Sequence, residues 1–166
     1  MNQQITRLGL ALVLALSLAG CVDPKDRRPG LRLSGETVSE AVTDWSFTDE
    51  HLEVLLETQT WYGIPHSVTT VCAGQGDKLY VPSVYFEGGA WGEKFWNRNV
   101  ARDPNVRMKL GDRVYPLVAV VVEDPAELQS ALALLAEKYP LWKDQLSKPE
   151  SERFDMAMVR MDPRES

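Results

Sequence analysis

The chain has 166 residues, with 24 acidic against 18 basic side chains and a net charge of −6. That length suffices for one domain with a real core. The acidic balance argues against nucleic acid as a partner, because phosphate binding needs clustered cations. It argues equally against a broad electrostatic hold on anionic lipid. Two cysteines and two histidines give no zinc-ligand cluster, and there are no internal repeats.

At the N-terminus a lone Arg7 precedes an apolar run from Leu8 to Leu18, which leads into Leu18-Ala19-Gly20-Cys21. A short basic start, an apolar core and small residues at a cleavage point are the parts of a bacterial export signal. The run is too short for a spanning helix, which needs about 20 apolar residues. It is followed at once by the polar stretch Asp23 to Gly30. The small pair before a cysteine resembles the lipobox of bacterial lipoproteins. The resemblance implies that residues 1–20 are a signal peptide and that the Cys21 thiol is acylated. It also implies a cell-envelope protein held to the membrane by that lipid. Val22 after the cysteine points to the periplasmic side of the outer membrane in a Gram-negative cell. Loss of residues 1–20 removes only one charge, Arg7, so 146 of the 166 residues remain and −6 becomes −7. Residues 21–37, rich in charge, Pro and Gly, read as the lipidated cysteine and a tether. Residues 38–166 form the domain. Cys72 is the only other cysteine, so acylation of Cys21 leaves no intramolecular disulfide, and Cys72 reads as a small buried hydrophobe.

Along the domain, Leu52–Thr60 reads as a strand and Tyr62-Gly63-Ile64-Pro65 as a turn. The β-branched segment Ser67–Ala73 predicts a second strand, Gly74–Asp77 a hairpin turn, and Leu79–Phe86 a third strand. Pro82 cannot donate to a ladder, so it marks an edge or a bulge. The spacing of Trp91, Phe95, Trp96 and Val100 predicts a helix over Gly92–Arg102, stopped by Asp103-Pro104. Val106, Met108 and Leu110 alternate with basic residues in a half-buried strand. Val114–Glu123 is apolar on both faces through Leu117–Val122 and should be central. Asp124-Pro125-Ala126-Glu127 predicts a capping box opening a helix that Pro140 ends. A loop or short helix follows to Glu152. Phe154, Met156 and Met158 then alternate as a last strand, with its methionines filling core. The order predicts an α+β protein: a β-barrel of about six antiparallel strands with two or three packed helices.

That order, with Asp77-Lys78-Leu79-Tyr80-Val81 and the segment from Glu93 through Asp103-Pro104-Asn105-Val106 to Lys109, resembles the flavin-binding split barrels. These include the pyridoxamine phosphate oxidase-like proteins and the deazaflavin-dependent nitroreductases. The resemblance spans roughly residues 52–161. It implies a flavin phosphate held between two strands and the helix start, with FMN or a deazaflavin as cofactor. Ser67 and Thr69 would lie on the first strand, Ser83 and Tyr85 on the second, and Lys94 would be the basic residue at the helix start. A helix N-terminus with free N–H groups suits a phosphate, and a lysine adds a full charge. Trp96 or Trp91 would stack on the ring. Where oxidase-like members carry a phosphate-gripping arginine on the first strand, this chain has Pro65-His66-Ser67-Val68.

The same residues fit plainer roles: Trp91, Phe95 and Trp96 as core packing, and Lys94, Arg98 and Arg102 as a solvated helix face. His66 can be a polar surface residue, an acid–base group or an axial ligand to haem, which some split barrels bind. Three functions therefore compete: an oxidoreductase using FMN or a deazaflavin, a non-catalytic binder of flavin or haem, and a structural lipoprotein. A homodimer is common among such barrels. No Ser-His-Asp or paired-carboxylate motif marks a hydrolase.

Overall fold

The computed structural model describes residues 30–85 and 89–164. Cys21 and the apolar run before it lie outside the described residues. Eight strands occur among those described: β1 (Glu36–Thr37), β2 (Val54–Gln59), β3 (Pro65–Thr70), β4 (Ala73–Gln75), β5 (Lys78–Val84), β6 (Asn105–Leu110), β7 (Arg113–Val121) and β8 (Met156–Pro163). Three helices accompany them: α1 (Phe95–Arg102), α2 (Pro125–Lys138) and α3 (Pro140–Ser147). Six strands are long, and β1 and β4 are the short additions to the expected count. None of these helices is long and apolar enough to cross a membrane.

The sheet order is β3-β2-β6-β7-β8-β5-β4, with β1 beside β7. Its two outermost strands are consecutive in the chain, joined only by Val71 and Cys72. Seven flat strands would hold those edges about 29 Å apart, at about 4.8 Å per strand. A link of that length reaches only about 10 Å, so the sheet has to curl into a barrel. This explains the break in what reads in sequence as one strand, Ser67–Ala73. The chain leaves one edge of the sheet at Thr70 and re-enters at the other edge at Ala73.

β7 is the central strand, as its two-sided apolar run requires. β8 pairs with it only over Leu117–Val121. At Arg113 and Val114 the edge that β8 has left is taken by β1, in parallel, because β6 occupies the other edge. This is the split in the barrel, and the chain before β2 closes it. Residues 30–37, whose polarity reads as tether, are docked on the sheet. The Ser67 N–H donates to Gly30 O (2.7 Å), and the Gly30 N–H donates to Ser67 Oγ (2.9 Å). The Leu33 N–H donates to Glu57 Oε2 at 2.6 Å, and Leu33 itself is buried. Gly35, at φ +153°, lets the backbone pass Asp112, whose carbonyl oxygen would lie 2.5 Å from an added Cβ.

Strand alternation sorts the side chains into two cores. Leu56, Val81, Val106, Met108, Tyr115, Leu117, Val159 and Met161 fill the barrel. Tyr80, Met158 and Val122 face outward under Leu132 and Leu135 of α2 and Trp142 of α3. The methionines of β8 serve both cores. Pro82 sits on β5 beyond Tyr80, the last residue paired with β4, so its missing N–H falls on the sheet edge.

α2 begins as its sequence predicts: Asp124 Oδ2 accepts from the Glu127 N–H at 2.9 Å, with Pro125 in the first turn. The reciprocal half of the capping box is absent. The Glu127 carboxylate turns to Arg160 (2.9 and 3.0 Å) and accepts from the Tyr80 hydroxyl (3.0 Å). It thereby fixes α2 to β8 and β5. The Arg160 hydrogen bonds hold the Glu127 carboxyl below its usual range. At the far end of α2, Lys138 Nζ donates to Cys72 O at 3.0 Å, and the Tyr139 hydroxyl donates to the same oxygen at 2.9 Å. These two contacts pin the barrel's closing link. Cys72 is buried, and burial pushes its thiol up to about 11, which makes it inert at neutral pH.

Candidate functional site

α1 covers one end of the barrel. The helix starts at Phe95, after Gly92 (φ +99°), with Lys94 as its N-cap residue. Lys94 supplies no side-chain cap. Among the described residues, the first-turn N–H groups of Phe95, Trp96 and Asn97 therefore have no partner. Lys94 Nζ stands 6.0 Å from the centroid of the Tyr85 ring. Its partial burial lowers the ammonium's pKa. Arg98 is turned back, with Nη1 donating to the carbonyls of Glu93 (2.9 Å) and Gly92 (3.3 Å). Lys94 is thus the cation placed at the helix start.

Below α1 lies a buried polar cluster centred on Asn97. Its Oδ1 accepts from Ser83 Oγ and from the Tyr85 hydroxyl, both at 3.2 Å. Its Nδ2 is buried and unpaired. Asn99 Nδ2 donates to Thr58 Oγ1 at 2.9 Å, which ties α1 to β2. His66 packs edge-on against Phe95, with centroids 4.9 Å apart. Its Nδ1 is also buried and unpaired. Burial lowers the His66 pKa, so the imidazole is neutral at pH 7.

The structure thus brings Ser83, Tyr85 and Lys94 together at the start of α1. Trp96 is there too, but only 5% exposed. It packs into the barrel edge-on to Trp91 at 5.8 Å, and Trp91 is the half-exposed ring of the pair. Ser67 and Thr69 are not part of this cluster. His66 and Val68 point toward α1 and the core, so alternation turns Ser67 and Thr69 to the opposite face of β3. Ser67 is buried there under Gly30, and Thr69 is exposed near His51 and Lys109. Asn97 and Asn99 are the residues that spacing alone passes over. Their signal is local: asparagine is a poor helix former, and two in an eight-residue helix suggest side chains held by tertiary partners.

A curled antiparallel sheet, split between β7 and β8 and capped by α1, defines the split-barrel class. Solved structures share it. The haem storage protein HutZ of Vibrio cholerae superposes with a TM-score of 0.53 at 19% identity, over 72% of this chain and 87% of that one. The conserved hypothetical protein Rv2991 of Mycobacterium tuberculosis gives 0.53 at 18% identity, over 78% and 86%. A candidate 5-nitroimidazole antibiotic resistance protein of Bacteroides thetaiotaomicron gives 0.52 at 13% identity, over 86% and 92%. At these identities the likeness is one of fold. No family model and no curated protein matches the chain.

Proposed function

We propose that this protein is a lipid-anchored envelope protein whose split barrel binds a flavin, FMN or a deazaflavin, at the start of α1. The observation that carries the reading is the buried, unpaired Asn97 amide beside half-buried Lys94 and the open first turn of α1. An unpaired buried donor costs about 1–3 kcal/mol. A ligand with an acceptor there would remove that cost. The donor set fits an anionic ligand with a planar polar ring. Lys94 and the N–H groups of α1 would meet the phosphate, and Ser83, Tyr85 and Asn97 would supply polar partners. Trp91 offers an aromatic face. Ser67 and Thr69 lie off this site, and Trp96 supports it from the core. A bound flavin would supply the hydride chemistry; the protein's part is to bind it, orient it and exclude water. Turnover would also need a hydride donor and an acceptor.

A second reading, haem binding, is favoured by His66, whose neutral imidazole suits an iron centre. One titration separates the two. The full chain in detergent is titrated with FMN, a deazaflavin and haemin while its absorbance is followed. A flavin complex that Lys94→Ala weakens about tenfold, the loss of one charge-assisted contact, supports the first reading. A Soret band that disappears in His66→Ala moves the case to haem. Binding of none leaves the barrel as a scaffold and ends both readings.

The anchor is part of the same proposal. It is supported by Arg7, the apolar run and the small pair before Cys21. The intact mass of membrane-extracted protein should show cleavage before Cys21 and added acyl chains. Cys21→Ala should show neither.

A further inference from the structure

The β2–β3 hairpin carries the most exposed aromatic side chain among the described residues. Trp61 is 77% exposed, Tyr62 49% and Ile64 51%, and all three belong to the five-residue connection after Gln59. Large apolar side chains grouped on a protruding turn mark a contact site more strongly than single exposed residues do. The turn is rigid. The Thr60 hydroxyl donates to Ile64 O at 2.5 Å, the Gly63 N–H donates to Thr60 O at 3.2 Å, and Gly63 takes φ +83°. The two rings meet edge-on, 5.3 Å apart. They are therefore held out together.

Two further observations say what covers them. The first is where the chain enters the fold. Gly30, the first described residue, is bonded to Ser67 on β3, five positions from Tyr62. Only nine positions separate Gly30 from Cys21. An extended chain of that length spans about 30 Å, and five residues span about 16 Å. A lipid at Cys21 therefore leaves the hairpin tip within reach of the bilayer. The second is charge. Arg32, Arg107 and Arg164 converge around Gln59 and Pro65 at the foot of the hairpin, and Arg102 donates to Gln59 O. Among the described residues, the acids there are Glu57, which Arg107 pairs at 2.7 Å, and Asp103. A chain with net charge −6 is locally basic at this end.

We propose that the β2–β3 hairpin is a membrane-contact element that sinks Trp61, Tyr62 and Ile64 into the phospholipid interface, with Arg32 and Arg102 against anionic headgroups. Tryptophan and tyrosine favour this depth because their apolar rings bury while the polar tips stay wet. Basic side chains beside them are attracted to the negative surface. The proposal rests on the membrane anchor read at Cys21. It orients the barrel with α1 and its polar cluster beside the bilayer, because Phe95 packs on His66 of the same hairpin.

The test uses the full chain, extracted in detergent and reconstituted into phosphatidylethanolamine–phosphatidylglycerol vesicles, with or without brominated acyl chains. The expected result is a bromine-dependent loss of tryptophan emission that disappears in Trp61→Phe. An undiminished loss in Trp61→Phe, or no loss in the wild type, overturns the proposal. If a second copy of this chain covers the hairpin, the protein in detergent sediments as a dimer that Trp61→Ser/Tyr62→Ser dissociates, and bromine leaves the emission unchanged. That outcome also overturns it. The intact mass of the same preparation reports the lipid separately. A lipidated chain with unquenched Trp61 removes the hairpin proposal and keeps the anchor, whereas a quenched chain without lipid does the reverse.

Discussion

Trp45→Ala is expected to lower stability by about 3–5 kcal/mol, the cost of emptying a buried tryptophan site. Trp45 is fully buried at the point where the segment before β2 plugs the split barrel. Its ring meets Tyr115 at 5.2 Å and Phe47 at 5.7 Å, and the Trp45 backbone N–H donates to Gly76 O at 2.7 Å. Gly74 lies directly beneath it: an added Cβ there would stand 2.6 Å from Trp45 Cβ. No neighbouring side chain can therefore swing in from Gly74 to fill the space. A domain of this size has about 5–15 kcal/mol in total, so the variant should unfold at a much lower urea concentration. Trp45→Phe should cost clearly less. The indole N–H is buried without a partner, and its removal relieves a penalty of about 1–3 kcal/mol that offsets part of the lost packing. Both variants remove that N–H, and Trp45→Phe keeps a ring in the packed site, so equal losses would refute this account of the packing.

The second large effect is expected at Arg107. Glu57 Oε2 accepts from Arg107 Nη1 at 2.7 Å and from the Leu33 N–H at 2.6 Å. The Glu57 side chain is 8% exposed and that of Arg107 20%. Arg107→Ala leaves a buried carboxylate with one backbone donor, and breaking such a pair costs about 3–5 kcal/mol. The partial exposure of Arg107 admits water, so the lower end is expected. Replacing both partners, as Glu57→Gln with Arg107→Met, should cost less than Arg107→Ala alone. The amide still accepts from Leu33, and no charge is stranded. Urea denaturation of the two single variants and the double variant measures this coupling. Proteolysis reads a second consequence: cleavage within residues 31–39 should accelerate in Arg107→Ala, because the carboxylate that accepts from the Leu33 N–H loses its counter-charge and draws in water.

Elements whose signal is local were legible in the chain. The alternation of Val106, Met108 and Leu110, the two-sided apolar run of β7 and the cap at Asp124 each depend on a few neighbouring residues, and each forms as read. The turn at Gly76 and the stops at Pro104 and Pro140 are likewise set by backbone sterics. Signals that need a distant partner were read less completely. Ser67–Ala73 has uniform strand propensity, yet barrel closure breaks it at Val71-Cys72. Residues 30–37 are polar enough to be a tether, yet Glu57, Asp112 and Ser67 supply backbone partners for them. Glu127 satisfies the capping-box pattern, yet Arg160 competes for its carboxylate with a stronger, charge-assisted bond.

The candidate site divides along the same line. Lys94 at a helix start and Ser83 on the preceding strand are positions that order along the chain can locate. Ser67 and Ser83 have the same chemistry and equally good strand contexts, but they point to opposite sides of the sheet. Alternation fixes which residues share a face within one strand, but the register between strands decides which of those faces meets α1. The sequence by itself determined the elements, their caps and the split-barrel order, because hydrophobic period and backbone sterics act over a few residues. Only the tertiary structure decided the closing link, the docked N-terminal segment and the membership of the Asn97 cluster. Those depend on hydrogen bonds between groups far apart in the chain: 12 residues for Tyr85 and Asn97, 37 for Gly30 and Ser67, and 67 for Cys72 and Tyr139.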